Sequence, residues 1–173
     1  VPIHDMPAVD VAALRAEDAV RDADGFDKPM RVGHPMKTDL EPARAGVWES
    51  VGAVGDVWRL RVRSEDALWI VLGFGTFRPT GDTRLYVYDP AGTRVLGPFN
   101  AADVREHGQL WMPPIAGDTV VVELFRPRVQ DGVEPAVHLG TVSHGYEPWG
   151  GIGADTGDAG IDAPCSRSRR PST

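Results

Sequence analysis

Between Val57 and Arg63 apolar and charged residues alternate strictly: Trp58, Leu60 and Val62 point one way, and Arg59, Arg61 and Arg63 the other. A period of two belongs to a β-strand with one buried and one wet face. The run Leu68 to Phe74 is continuously apolar, which predicts a strand covered on both faces. At its end, Gly73-Phe-Gly75 predicts a bulge or sharp bend. The runs 84–89 and 95–99 are short strands joined by Pro90-Ala-Gly-Thr93, a hairpin turn. Two further runs, 108–112 and 119–125, flank the turn Pro113 to Asp118, and 136–142 reads as a closing strand. Strands thus recur from 47 to 142 with turn signals between them. The prediction is an all-β fold, an antiparallel β-sandwich or jelly roll. Its expected core is Trp58, Leu60, Trp69, Val71, Leu85, Val87, Leu110, Val120, Val122 and Leu139.

The ends read differently. From Asp10, a potential N-cap, Val11, Leu14 and Val20 follow a loose helical spacing that stops at Gly25. Fifteen or so residues make a marginal helix in water, so this one needs docking to be ordered. Residues 28–35 carry two prolines, which predict an extended segment fit for a sheet edge. After Tyr146 the composition collapses into glycine, alanine and aspartate, too little apolar surface to offset chain entropy. The expected organisation is an N-terminal segment over 1–45, a sandwich over 46–149 and a flexible glycine-rich tail over 150–173.

Composition sharpens this picture. The 20 glycines and 15 prolines among 173 residues suit short strands and tight turns. A formal charge of −7 disfavours nucleic acid or an anionic membrane surface as partner, since both need a dense Lys/Arg face. The longest apolar stretch, 67–77, falls far short of the roughly 20 residues a bilayer requires. One cysteine, Cys165, excludes an internal disulfide framework and a multi-cysteine zinc site. A chain opening at Val1 without Met reads as a processed piece, with a secretion signal removed upstream.

Candidate chemistry is sparse. No serine sits in a Gly-x-Ser-x-Gly elbow, and Ser143 and His144 are adjacent, so in a strand their side chains point apart. Cys165, in the tail, has no rigid scaffold for an oxyanion hole. His4, His34, His107, His138 and His144 show no metal-ligand spacing, and His138 and His144 read as surface residues. A single imperfect nonapeptide at 150–158 echoes a calcium β-roll, a motif that works only when copies stack. No catalytic, cofactor or metal residue is therefore assigned. Of the five tryptophans, Trp48, Trp58 and Trp69 follow core periodicity, whereas Trp111 and Trp149 are less constrained. Trp111, Tyr146 and Trp149 are the candidate interface residues, and the arginine row of 57–63 is a face able to receive an acidic partner.

These residues also resemble a known family. Gly46-Val-Trp-Glu, Val57 to Ser64, Gly73-Phe-Gly-Thr-Phe77, Arg84 to Pro90, Val95-Leu-Gly-Pro-Phe99, Gly108-Gln-Leu-Trp111, Gly117 to Leu124 and His144-Gly-Tyr146 are similar to the amino-terminal pro-region of secreted bacterial trypsin-like serine endopeptidases of the lysyl endopeptidase type. The resemblance runs from about Met30 to 151 and implies an extracytoplasmic, non-catalytic domain. Its implied partner is a serine endopeptidase catalytic domain, whose folding or latency it assists. Cys165 falls where the first protease cysteine would lie, but the catalytic His, Asp and Ser have no matching positions here. The implied processing region includes Gly150, Gly153, Gly157 and Arg167. An isolated pro-region, a truncated or frameshifted relative, and a free-standing domain all fit. Outside the family, a carbohydrate- or protein-binding module with exposed aromatics is the alternative, and a hydrolase is a third reading.

Overall fold

A computed structural model describes residues 1–23, 30–128, 135–150 and 152. The chain is mostly β. Its elements are β1 (Ile3–Asp5), α1 (Val11–Ala23), β2 (Gly33–Leu40), β3 (Val47–Val51), β4 (Gly55–Arg63), β5 (Trp69–Arg78), β6 (Arg84–Tyr88), β7 (Val95–Phe99), β8 (Leu110–Trp111), β9 (Ile115–Ala116), β10 (Thr119–Pro127) and β11 (Ala136–Gly145). One sheet of six strands runs β1-β4-β10-β6-β7, with β3 also on β4. A second, of five, runs β2-β11-β5-β8, with β9 also on β5. Every pairing is antiparallel except β1 with β4.

The strands meet through one apolar cluster drawn from both sheets. Trp58, Leu60 and Val62 of β4, Leu85 and Val87 of β6, and Val120, Val122 and Leu124 of β10 meet Ile70, Leu72 and Phe74 of β5 and Leu139 and Val142 of β11. Strict alternation over 57–63 made the inner face of β4 legible. The continuous run in β5 did not, and there the expected core is corrected. Ile70, Leu72 and Phe74 point inward, whereas Trp69 and Val71 lie on the opposite face. A strand apolar at every position carries no phase, so only its pairing partners decide which side faces in. Leu110 is half-buried against the cluster rather than within it.

The glycine-marked bend is real. Phe74 pairs with Leu139 and Thr76 with His138, so Gly75 is passed over, and Phe77 returns to the interior at 0% exposure. On β11 the register slips at Gly140 in the same place. The hairpin at 90–93 is held by Asp89, whose carboxylate accepts from the Arg94 N–H and the Thr93 hydroxyl.

Residues before 46 contribute a strand to each sheet: β1 lies along β4, and β2 is an edge strand on β11. Pro35 is thus tolerated, because its missing N–H costs least at an edge. Helix α1 is capped by Asp10, whose Oδ1 accepts from the Ala13 N–H at 2.9 Å. It docks through its polar side as well as through buried Leu14. Tyr146 Oη lies 2.6 Å from Asp18 Oδ2, and Arg31 donates to Asp18, Glu17 and the Leu14 carbonyl. The Tyr146 hydroxyl, followed by the Arg31 guanidinium, holds the Asp18 carboxyl below its ordinary range. The expected tail lies outside the described residues apart from Gly150 and Ile152, where Trp149 and Ile152 exchange backbone hydrogen bonds of 3.0 and 2.9 Å.

Candidate interaction surface

The outer face of the five-stranded sheet is built from rings laid on glycines. Trp69 stands on β5 opposite Gly145 of β11, and the next strand over offers Gly33 of β2. A Cβ on Gly145 would come within 2.1 Å of the Trp69 ring, and one on Gly33 within 2.7 Å. Only residues without side chains let the indole lie flat across three strands. The ring is 2% exposed, and its Nε1 donates to the Glu147 carbonyl at 2.8 Å. Trp149 tilts against it, with ring centroids 5.1 Å apart. Trp111 repeats the device on Gly73, where a Cβ would sit 2.6 Å from the indole.

Between these rings runs a groove of about 450 Å³. Trp111, Pro113, Pro114, Val71, Pro35 and Trp149 are among its lining residues. Trp111 is 55% exposed and Trp149 46%. The sequence-level candidates Trp111 and Trp149 are therefore brought to one surface by the sheet. Tyr146 is not: at 1% exposure it is a structural residue that ties α1 to the end of β11. Gly153, Gly157 and Arg167 lie outside the described residues, and Gly150 sits beside Trp149 with a positive φ of 58°.

Other clusters were invisible in the sequence. His144 is not a surface residue; it is 1% exposed, and its Nδ1 lies 2.8 Å from Ser64 Oγ. Ser64 follows β4 and His144 ends β11, so this contact pins one sheet to the other. Ser64 is also 1% exposed, so no substrate carbonyl can reach its oxygen, and His144 Nε2 has no hydrogen-bond partner among the described residues. Burial, and then nearby His34, push the imidazole below its ordinary value. Ser143, its neighbour in sequence, lines the groove on the opposite face. His138 likewise pairs across strands, with Asp39 at 2.9 Å. Asp39, Glu41 and His138 bring their ligand atoms within 4.8 Å of one another, and Arg44 lies 3.5 Å from Asp39 and 3.8 Å from Glu41. No metal-ligand spacing announced this group, because β2–β11 pairing assembles it from distant residues.

The arginine row on β4 is largely satisfied from within. Arg59 pairs with Glu123 and Glu49 at 2.7 Å each, and Arg63 with Asp5 at 2.6 Å. Arg61, alone of the three, has a buried Nε with no partner among the described residues.

The family model for the lysyl endopeptidase N-terminal domain matches residues 3–146 of the 173. The chain belongs to that family. The match spans both sheets and α1, and ends at Tyr146, three residues before Trp149. The family associates this domain with a protease. No helix among the described residues is long and apolar enough to cross a membrane.

Proposed function

We propose that this is a secreted, non-catalytic pro-region-like domain that binds a trypsin-like serine endopeptidase catalytic domain and assists its folding, its latency, or both. The observation that carries the reading is the family match over nearly the whole described fold. Physically, a domain that binds the folded protease and not its unfolded chain stabilises the fold by mass action, and the same contact obstructs substrate while it lasts. Two facing sheets around one core support a β-sandwich of jelly-roll type. The region around Gly150, Gly153, Gly157 and Arg167 is the proposed place of cleavage between domain and protease.

The decisive experiment adds the full chain to a denatured catalytic domain of a lysyl endopeptidase during refolding, and to the active enzyme during peptide hydrolysis. A higher yield of active enzyme, or inhibition at micromolar concentration, is expected. No effect on either would overturn the reading. The two exposed tryptophans favour one second reading, a free-standing module for polysaccharide or another surface ligand. Retention on insoluble polysaccharide, without effect on the protease, would select it.

A further inference from the structure

We infer that the tryptophan-lined groove on the outer face of the five-stranded sheet is where the endopeptidase catalytic domain docks, through an apolar segment of its surface. This rests on the function proposed above and assigns it a face. Three observations converge on the groove. First, it is an apolar surface that the described residues leave open, with Trp111 and Trp149 about half exposed on either side of prolines and Val71. Open patches of this kind mark binding sites, and tryptophan is the side chain most enriched among residues that dominate interface energy.

Second, the rings are held before any partner arrives. Trp111 rests on Gly73, and Trp149 leans on Trp69, itself seated on Gly145 and Gly33. Little conformational freedom remains to be lost on binding, which leaves more of the contact energy for affinity. The lining carries one charge, Arg31, and its guanidinium is committed to Asp18 and Glu17. A charged partner side chain would lose its water here and gain no counter-ion, so the fitting surface is apolar.

Third, the chain continues from this spot. Trp149 lines the groove and forms a β-bridge with Ile152, the last described residue. In a family defined as the N-terminal domain of an endopeptidase, the protease lies on the carboxyl side, so its tether starts at the groove's rim. A tethered partner is most concentrated near its point of attachment. On the opposite outer face Arg59 and Arg63 are paired with carboxylates of the same face, and the pocket there is lined by Arg61, Arg63, Asp89 and Asp118, a charged rather than an apolar surface.

The test compares the full chain with its Trp111→Glu and Trp149→Glu variants, and with Val95→Glu, an exposed position on β7 of the other sheet. Each is titrated against a purified lysyl endopeptidase catalytic domain, following inhibition and binding heat; unchanged urea midpoints establish that the variants fold. Both tryptophan variants are expected to weaken binding by about tenfold or more, as loss of an aromatic anchor does, and Val95→Glu by less than about twofold. Trp111→Phe, which keeps an apolar ring, should restore most of the affinity. If the parent chain binds and the tryptophan variants bind equally well, the groove is not the docking face while the proposed function stands. If the parent chain neither binds nor aids refolding, both fall. A dimer of this chain that Trp111→Glu dissolves would assign the groove to a second copy instead and overturn the inference.

Discussion

The two sheets share one interior but differ in what they show outside. On the six-stranded sheet, charged side chains of β3, β4 and β10 meet one another on the outer face, beside Val57 and Val121: Arg59 bridges Glu123 and Glu49, while Tyr88 donates to the same Glu123 carboxylate at 2.9 Å. On the five-stranded sheet Trp69, Val71 and Trp111 of β5 and β8 face outward, and the residues cross-strand from the two rings are Gly145 and Gly73. Where Arg59 and Arg63 meet their carboxylates, the face supplies its own counter-charges. A face of rings and prolines still has apolar area to remove from water, worth roughly 25 cal/mol for each Å² covered. In the docking proposed above, the partner side of this domain lies over the rings of β5 and β8 and not over the conspicuous arginine row.

The contrast can be broken most severely at Trp69. Trp69→Ala should destabilise the chain by about 3–5 kcal/mol, because the ring is fully buried although it lies outside the main core. Urea unfolding measures this, and a loss below about 1 kcal/mol would mean that the outer layer contributes little. Gly145→Ala attacks the same layer from below. Its methyl would fall within 2.1 Å of the Trp69 ring, and displacing that ring should cost about 1–3 kcal/mol. A neutral result would show that the ring does not need its glycine bed.

The seam between the sheets is expected to respond to acid. Folding lowers the His144 pKa, whereas the unfolded chain keeps it near about 6.5. Between the two values the unfolded state holds more protons, so this contribution is complete above about pH 7 and is lost as pH falls through 6.5 toward the folded value. His144→Gln should remove that part of the slope in urea midpoints taken from pH 8 to 5. An unchanged slope would place the sensitivity elsewhere.

On the charged face the effects shrink. Arg59→Ala should cost about 1 kcal/mol or less, diminishing in high salt, because the pair is only partly buried. Smallest of all, Trp111→Ser should change stability by less than about 1 kcal/mol while removing most binding to the catalytic domain, since the ring is 55% exposed. A large loss of stability there would make Trp111 a packing residue and blur the contrast between the faces.

The family resemblance and the strand-rich pattern could be read directly, because alternation in 57–63 and the recurrence of short apolar runs between turn residues are local features. Trp111 and Trp149 also stood out, through the absence of a core rhythm around them. Their convergence did not, because it depends on β5–β8 pairing and on where the chain turns after Tyr146. Tyr146 could not be told from a surface aromatic until α1 came to rest against its hydroxyl.

By itself the sequence determined period, turn chemistry and the helix cap at Asp10, since these are interactions over a few residues. Only the tertiary structure decided the phase of β5, the burial of His144 beside Ser64, and the meeting of Asp39, Glu41 and His138. Each of these depends on which strand lies next to which, and that choice is made by long-range burial of apolar surface, to which local pattern is blind.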